Sequence, residues 1–332
     1  MKLTICSIAA SAMLLAGLAG AQESEPGSDA RFQEWLGALR TEALDAGISE
    51  ATVTAALTDV QLIERVVELD RNQPEVKLDF WTYLDRVASQ ARIDRGRQLM
   101  EEHRELLSDV SSRYGIPAET LVAAWGIESS FGRIQGGFPV IQALVTLAYD
   151  DRRAAMFRRE LFNALRIIDD GHISVEDMQG SWAGAMGQVQ FMPSTFLNYA
   201  RDGDGDDLID IWQSTPDALE SAAAYMASGW RPGYIWGRQV QLPENFDTDL
   251  TGTGTRKPLA EWQALGVRRI SGEDLPEVDI EGSVVLPDDS PHPAFLVYDN
   301  YDMLLRWNRS HRFAISLAHL ADRIAGRPAL IR

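Results

Sequence analysis

Trp125-Gly126-Ile127-Glu128-Ser129-Ser130-Phe131-Gly132 sets one carboxylate among apolar and glycine residues near the end of a helical run. Aromatic and apolar neighbours strip water from such a carboxyl and favour its neutral form. A carboxyl that stays neutral near neutral pH can hand a proton to a leaving oxygen. Leu121 and Trp125 stand seven and three residues before Glu128, on roughly its face of the helix. Taken alone, a helical glutamate reads as a solvated side chain, and only the setting singles this one out. Pro117 suits the start of its helix, where a missing N–H costs nothing, and Gly115 suits the end of the helix before it.

Further along comes Gly180-Ser181-Trp182-Ala183-Gly184-Ala185-Met186-Gly187-Gln188-Val189-Gln190-Phe191-Met192-Pro193-Ser194. It has almost no charge, many small residues and several amides. Such a stretch makes a poor helix and can bring backbone close to a ligand. Acid and loop together suit a neutral, hydroxyl-rich polymer.

Outward from these two segments the chain is mostly helical in pattern. Phe32, Trp35, Leu36, Leu39, Ala43 and Leu44 recur at helical spacing between Arg31 and Asp59, and Ser49 suits the cap of a second helix there. A long helix is expected from about Leu84 to Tyr114, others from about Pro117 to Ser129 and Val140 to Ala148. Arg153 to Asp169 is amphipathic through Phe157, Leu161, Leu165 and Ile168, and Thr215-Pro216 opens a helix reaching about Ser228. Between Val240 and Tyr298 threonine, glycine and proline are frequent and short apolar runs appear, which reads as a small strand-containing insertion. Two helices close the chain, near Tyr301–Trp307 and Arg312–Ile324.

Residues 1–21 carry Lys2, an apolar run from Leu3 to Leu18 and a small-x-small site at Ala19-Gly20-Ala21, the pattern of a cleaved export signal. An uncleaved anchor is the other reading, although the run is short for a membrane span. Residues 22–30 are polar and read as a flexible leader. The single cysteine, Cys6, lies inside the signal, so the exported chain is expected to hold itself together by its core without disulfides. The formal charge is −18, and lysine occurs only at positions 2, 77 and 257. That balance excludes phosphate-driven nucleic-acid binding. There is no His-Glu-x-x-His, no Cys-x-x-Cys, no P-loop and no nucleophile elbow.

The two dense segments resemble those of lytic murein transglycosylases of the B type, lysozyme-like enzymes of the bacterial envelope. The resemblance runs from about Phe32 to Ile324. Supporting segments are Phe80-Trp81-Thr82-Tyr83-Leu84, Leu147-Ala148-Tyr149-Asp150-Asp151-Arg152-Arg153 and Arg306-Trp307-Asn308-Arg309-Ser310. The resemblance implies a mainly α fold with a lysozyme-like catalytic core, a helical N-terminal part and a small β-containing insertion. Over residues 31–332 these fall at about 31–115 for the helical part, 116–239 and 293–332 for the core, and 240–292 for the insertion.

Position by position, the resemblance implies that Glu128 is the single catalytic acid/base. It places Ser181 near that carboxylate and Gln190 and Phe191 at sugar-contacting positions of the loop. Tyr83, Arg152, Arg153 and Tyr225 match groove residues, and Asn308 matches a polar contact to the reacting sugar. Trp307 and Phe313 stand where relatives can carry tyrosine, so stacking is kept and hydroxyl contacts are not. Each has a plainer reading. Ser181 suits a loop cap, Arg152 and Arg153 a solvated helix start, Tyr225 a core aromatic and Tyr83 a helix–helix contact.

A retaining glycosidase normally needs a second carboxylate roughly 5 Å from the first, and neither dense segment supplies one. The resemblance implies instead that the substrate's own acetamido carbonyl assists, and that the muramoyl 6-hydroxyl closes a 1,6-anhydro ring without water. The bond cut is the β-1,4 link between N-acetylmuramic acid and N-acetylglucosamine in peptidoglycan glycan strands, in the periplasm. No cofactor is required, and the sequence names no protein partner. A hydrolase of the same bond and a non-catalytic peptidoglycan-binding scaffold are the rival readings.

Asp202-Gly203-Asp204-Gly205-Asp206-Asp207-Leu208-Ile209-Asp210 offers oxygen ligands at alternate positions, like the start of an EF-hand loop. Asp202, Asp204 and Asp206 would give carboxylates and Leu208 a backbone carbonyl, while Asp217 would complete a longer loop. Asp207 stands where the turn glycine belongs and Gln213 where the bidentate glutamate belongs. A structural calcium ion and an ordinary acidic turn both fit this pattern.

Overall fold

The computed structural model describes residues 26–72, 78–288 and 290–332. The expected signal 1–21 and the start of the expected leader lie outside those residues. Among them the chain forms fourteen α-helices and seven short strands, and their contacts divide into two units. The acid-bearing unit holds the described residues before Glu75 together with Glu128–Ser221, and the sheet-bearing unit holds those of Glu75–Ile127 and Ala222–Arg332. The expected helical part 31–115 is therefore divided between them. No helix of the described residues is long and apolar enough to cross a membrane.

In the acid-bearing unit, α1 (Pro26–Asp45) already opens inside the expected leader. Ser49 caps α2 (Glu50–Leu57) as its sequence predicts, accepting from the Thr52 N–H. α3 (Glu64–Arg71) follows; its short charged sequence gave no periodic signal.

The sheet-bearing unit begins with α4 (Phe80–Val87), α5 (Gln90–Glu102) and α6 (Arg104–Tyr114), where one long helix was expected from Leu84 to Tyr114. The chain breaks at Ser89 because its hydroxyl accepts from the Arg92 N–H and caps a new helix. Arg92 Nη1 then donates to the Arg86 carbonyl at 3.1 Å, satisfying the open end of α4. A second break falls at His103, and Gly115 ends α6 in the left-handed conformation, φ 71°. α7 (Ala118–Ser129) carries the boundary between the units, which falls between Ile127 and Glu128.

The acid-bearing unit continues through β1 (Phe138–Pro139), α8 (Val140–Tyr149), α9 (Ala154–Asp169), β2 (Gln179–Gly180) and α10 (Pro193–Tyr199). α11 (Thr215–Ala227) begins in it and passes into the sheet-bearing unit after Ser221. α8 packs along α9, with α3 against α8 and α10 against α9. Phe157, Leu161, Leu165 and Ile167 face this core; Ile168, expected there, is only half-buried. Burying each such side chain is worth about 1.5–3 kcal/mol relative to exposure. Asp169 at the end of α9 accepts from Thr52 Oγ1 at 2.8 Å and so ties α2 to this pair.

The sheet-bearing unit then adds five strands in the order β4–β6–β7–β3–β5, all antiparallel. They are β3 (Gly237–Gln241), β4 (Lys257–Pro258), β5 (Arg268–Arg269), β6 (Glu281–Val285) and β7 (Ala294–Val297), with α12 (Leu259–Ala264) between β4 and β5. Trp262 packs with Val240, Leu259, Val284 and Leu296 in a buried cluster on this sheet. The sheet reaches a few residues beyond both expected bounds of the insertion, because β3 and β7 pair along Gly237–Val240 with Ala294–Val297. α13 (Asp299–Trp307) and α14 (His311–Ile324) close the chain, and α14 lies against α4 and α5.

Candidate active site

α7 buries almost its whole circumference, so Glu128 arrives at its C-terminal end with only 8% exposure. The helix stops one residue later. Ser130 and Phe131 take left-handed conformations, φ 51° and 62°. Non-glycine residues adopt this region at a cost and hold it only where surrounding contacts fix it. Ser129 supplies one such contact. Its hydroxyl donates to the Gln188 carbonyl at 2.5 Å and accepts from the Gly132 N–H at 2.8 Å. The end of the acid's helix is thereby tied to the Gly180 segment.

That segment is a stack of tight turns. β2 pairs with β1 through Phe138 and Gly180, and isolated bridges join Gly180 to Met186 and Met186 to Phe191. A Cβ on Gly180 would lie 2.3 Å from the Ala185 carbonyl oxygen, so only glycine fits. Ser181 is buried, and its hydroxyl accepts from the Ala183 and Ala185 N–H groups at 3.3 and 3.0 Å. The loop-cap reading of Ser181 is thus realised in the same unit that holds Glu128. Gln190 is half-buried in a left-handed conformation, φ 51°. Its amide nitrogen donates to the Gln135 and Gly187 carbonyls, both at 2.9 Å. Phe191 is 3% exposed.

Gln135 was not singled out by sequence. Its amide nitrogen donates to the Gly132 and Trp212 carbonyls at 3.0 and 2.9 Å, bracing the turn after the acid. A side chain reaching across such distances leaves no local pattern to read. The same holds for Asp70 on α3. Arg152 grips its carboxylate through Nε at 2.6 Å and Nη2 at 3.0 Å, and Arg153 pairs with it as well. The plain reading of these arginines as a solvated helix start gives way to a fixed ion cluster.

Tyr83, Tyr225 and Asn308 belong to the sheet-bearing unit. Tyr83 lies half-buried on α4. The Tyr225 hydroxyl donates to the Arg306 carbonyl at 3.0 Å, and its ring meets Trp307 edge-on at 5.3 Å. Asn308 is 8% exposed, and its Oδ1 accepts from the Ser310 N–H at 3.2 Å. Phe313 is a core side chain of α14 at 2% exposure.

In the acidic loop, carboxylate oxygens of Asp202, Asp204 and Asp217 lie within 4.8 Å of one another. Asp217 is buried, and loss of hydration lifts its carboxyl above the usual range, with the N–H groups of Asp210 and Gly203 pulling it back. Asp206, expected to be a ligand, accepts from the Leu208 N–H at 2.9 Å. Asp207 takes φ 68° at the glycine position, which aspartate tolerates better than most residues. Three hard oxygens converging this closely fit a calcium ion.

The sequence matches the family described as Transglycosylase SLT domain over residues 31–322. It is 32% identical over 192 residues to the membrane-bound lytic murein transglycosylase B of Escherichia coli (strain K12), covering 54% of this chain and 53% of that protein. The chain thus spans about half the length of that curated relative. SltB3 from Pseudomonas aeruginosa, solved in complex with NAG-anhNAM-pentapeptide, superposes with a TM-score of 0.85 at 41% identity, over 89% of this chain and 80% of that one. A lytic transglycosylase of Escherichia coli solved in complex with calcium superposes with a TM-score of 0.76 at 25% identity, over 87% of this chain and 92% of that one.

Proposed function

The chain belongs to the transglycosylase SLT domain family, and on that footing we propose that it is a peptidoglycan lytic transglycosylase with Glu128 as its acid/base. The observation that carries the reading is a single carboxyl, 8% exposed, at the end of an apolar helix locked to a rigid glycine-rich loop. Glu128 protonates the glycosidic oxygen between N-acetylmuramic acid and N-acetylglucosamine. The muramoyl acetamido carbonyl supports the anomeric carbon as that bond breaks. Glu128, now a base, takes the proton of the 6-hydroxyl as it closes the 1,6-anhydro ring. Ser181, Gln190 and Phe191 shape the loop against the sugar. Arg152 and Arg153 in the acid-bearing unit are offered as further glycan contacts, and Tyr83, Tyr225 and Asn308 in the sheet-bearing unit as contacts of their own unit. A peptidoglycan substrate and the signal-like segment 1–21 support a periplasmic site of action. Purified sacculi test this directly: soluble muropeptides should appear, whereas a protein that binds sacculi and releases nothing would be a scaffold.

The relative solved with calcium and the convergence of Asp202, Asp204 and Asp217 support a structural ion here. Asp202, Asp204 and Asp217 would hold it with the Leu208 carbonyl, and its charge would fix the loop between α10 and α11. A ligand of the native state stabilises by mass action, about 2.7 kcal/mol at a hundredfold excess over Kd, or roughly 5 °C in Tm for a chain of this size. Millimolar calcium should therefore raise the melting temperature, and Asp204→Ala should abolish the gain. Identical melting curves in calcium and in chelator would make the segment an ordinary acidic turn.

A further inference from the structure

Strained backbone in the acid-bearing unit gathers round one glutamine. Among the described residues, four non-glycine side chains sit on positive φ: Ser130, Phe131, Gln190 and Asp207. With Gly132 at φ 79°, the first two make three consecutive left-handed residues directly after the acid's helix. Such a run is costly and persists only where its surroundings over-determine it. Functional sites are where strain of this kind collects.

Gln135 supplies the constraint. Its amide nitrogen carries two hydrogens and meets two carbonyls. One belongs to Gly132, the last residue of the left-handed run, at 3.0 Å, and the other to Trp212, 77 residues on, at 2.9 Å. The backbone carbonyl of Gln135 accepts in turn from the Gln190 amide nitrogen at 2.9 Å. Three of the four strained side chains therefore belong to segments that Gln135 joins. The Trp212 carbonyl is a firm anchor. Trp212 is 5% exposed, its backbone N–H donates to Asp210 Oδ1 at 2.9 Å, and its indole nitrogen donates to the Gln179 carbonyl at 3.0 Å. The Gln188 amide nitrogen reaches the same carbonyl only at 3.4 Å, so Gln135 holds the shorter bond. From Gly132 the chain of contacts runs on toward the acid: the Gly132 N–H donates to Ser129 Oγ at 2.8 Å, and Ser129 is the neighbour of Glu128.

We propose that Gln135 is a positioning residue for Glu128. By fastening the left-handed turn to Trp212 it holds the carboxyl at the setting from which one group can first give a proton and then take one. The inference rests on the peptidoglycan reading above, with Glu128 as acid/base. Gln135 acts through the turn and not on the sugar. Misplacing a catalytic group by an ångström costs about a hundredfold in rate, so loosening the turn should lower kcat and leave KM nearly alone. Side-chain substitution keeps the backbone carbonyl of Gln135, and with it the bond to Gln190.

Steady-state turnover of the full chain on purified glycan strands tests this, run well below the melting transition of every variant. Gln135→Met keeps the length of the side chain and removes both donors. It should lower kcat about thirtyfold and shift KM by less than about threefold. Ser49→Ala is the control for stability alone. It removes the cap of α2 in the same unit and should lower the melting temperature by a few degrees with kcat unchanged. In a Glu128→Gln background, Gln135→Met should lower the residual turnover no further, because the two act as one unit. Should Gln135→Met not fold, Gln135→Asn keeps the amide, falls one methylene short of the two carbonyls and should lower kcat likewise. An unchanged kcat in folded Gln135→Met, a loss carried by KM, an equal loss in Ser49→Ala, or a further thirtyfold loss in the Glu128→Gln background each overturns the proposal. A silent Gln135→Met in a protein that still releases fragments leaves the peptidoglycan reading standing, whereas a wild-type protein releasing none defeats that reading itself.

Discussion

Glu128→Gln is expected to reduce release of soluble fragments from sacculi by about a thousandfold or more, the scale of general acid–base catalysis at both steps. The substitution keeps shape and volume and removes the transferable proton. The fold should survive. Glu128 lies at the end of α7, next to a helix terminus held independently through Ser129 and the Gln188 carbonyl. Binding to sacculi should survive too. A folded Glu128→Gln protein that keeps a tenth of wild-type turnover would remove Glu128 from the chemistry.

Gly136→Ala should be among the most damaging single methyl additions to this chain. Gly136 holds φ +100°, and a Cβ there would lie 2.1 Å from the Gly180 carbonyl oxygen and 2.7 Å from the Ser181 nitrogen. Both obstacles are backbone of the loop that carries Ser181, so no side chain can swing aside. Left-handed strain and forced displacement together should cost roughly 3 kcal/mol or more. What stability remains should go with a displaced loop, and turnover should fall with it. The neighbouring Gly137→Ala is the control, since nothing lies within 4 Å of its Cβ. Equal melting temperatures for the two variants would mean that the loop is not pinned at Gly136.

The contrast between these neighbours marks what local sequence can and cannot convey. Short-range chemistry was legible. Ser49 and Gly115 carry their capping roles in their own side chains, and the apolar period of Phe157, Leu161 and Leu165 marks the buried face of α9. The ending of that face was misread by one residue, because Ile167 turns inward where Ile168 was expected. Ser89 was passed over because a cap inside a helical pattern competes with propensities that favour continuing. α10, opened by Pro193, was hidden in the tail of the glycine-rich loop. Long-range partners were illegible. Nothing around Asp70 announces two arginines 82 and 83 residues on, and nothing around Gln135 announces the Trp212 carbonyl. The resemblance singled out Gln190 as a sugar contact, while its amide nitrogen is engaged with two backbone carbonyls of its own unit.

Buried carboxylates decide the remaining question, whether water takes part. Among the described residues four acids are buried: Asp70, Glu128, Asp217 and Glu220. Asp70 is held by arginines, and Asp217 by the Gly203 and Asp210 amides. Glu220, on α11, is, like Asp70, an acid that the sequence reading did not weigh. A hydrolase needs a second carboxylate as base or nucleophile on the far side of the sugar. Ring closure by the 6-hydroxyl needs none, and intramolecular attack carries a high effective concentration of its own. Digestion of sacculi by the wild-type protein in heavy-oxygen water, followed by mass spectrometry of the released muropeptides, separates the two. Fragments ending in unlabelled 1,6-anhydro-muramic acid, one water lighter than hydrolysis products, are the predicted result. Labelled reducing muramic ends would contradict it and would make Glu220 the first residue to test as the missing carboxylate.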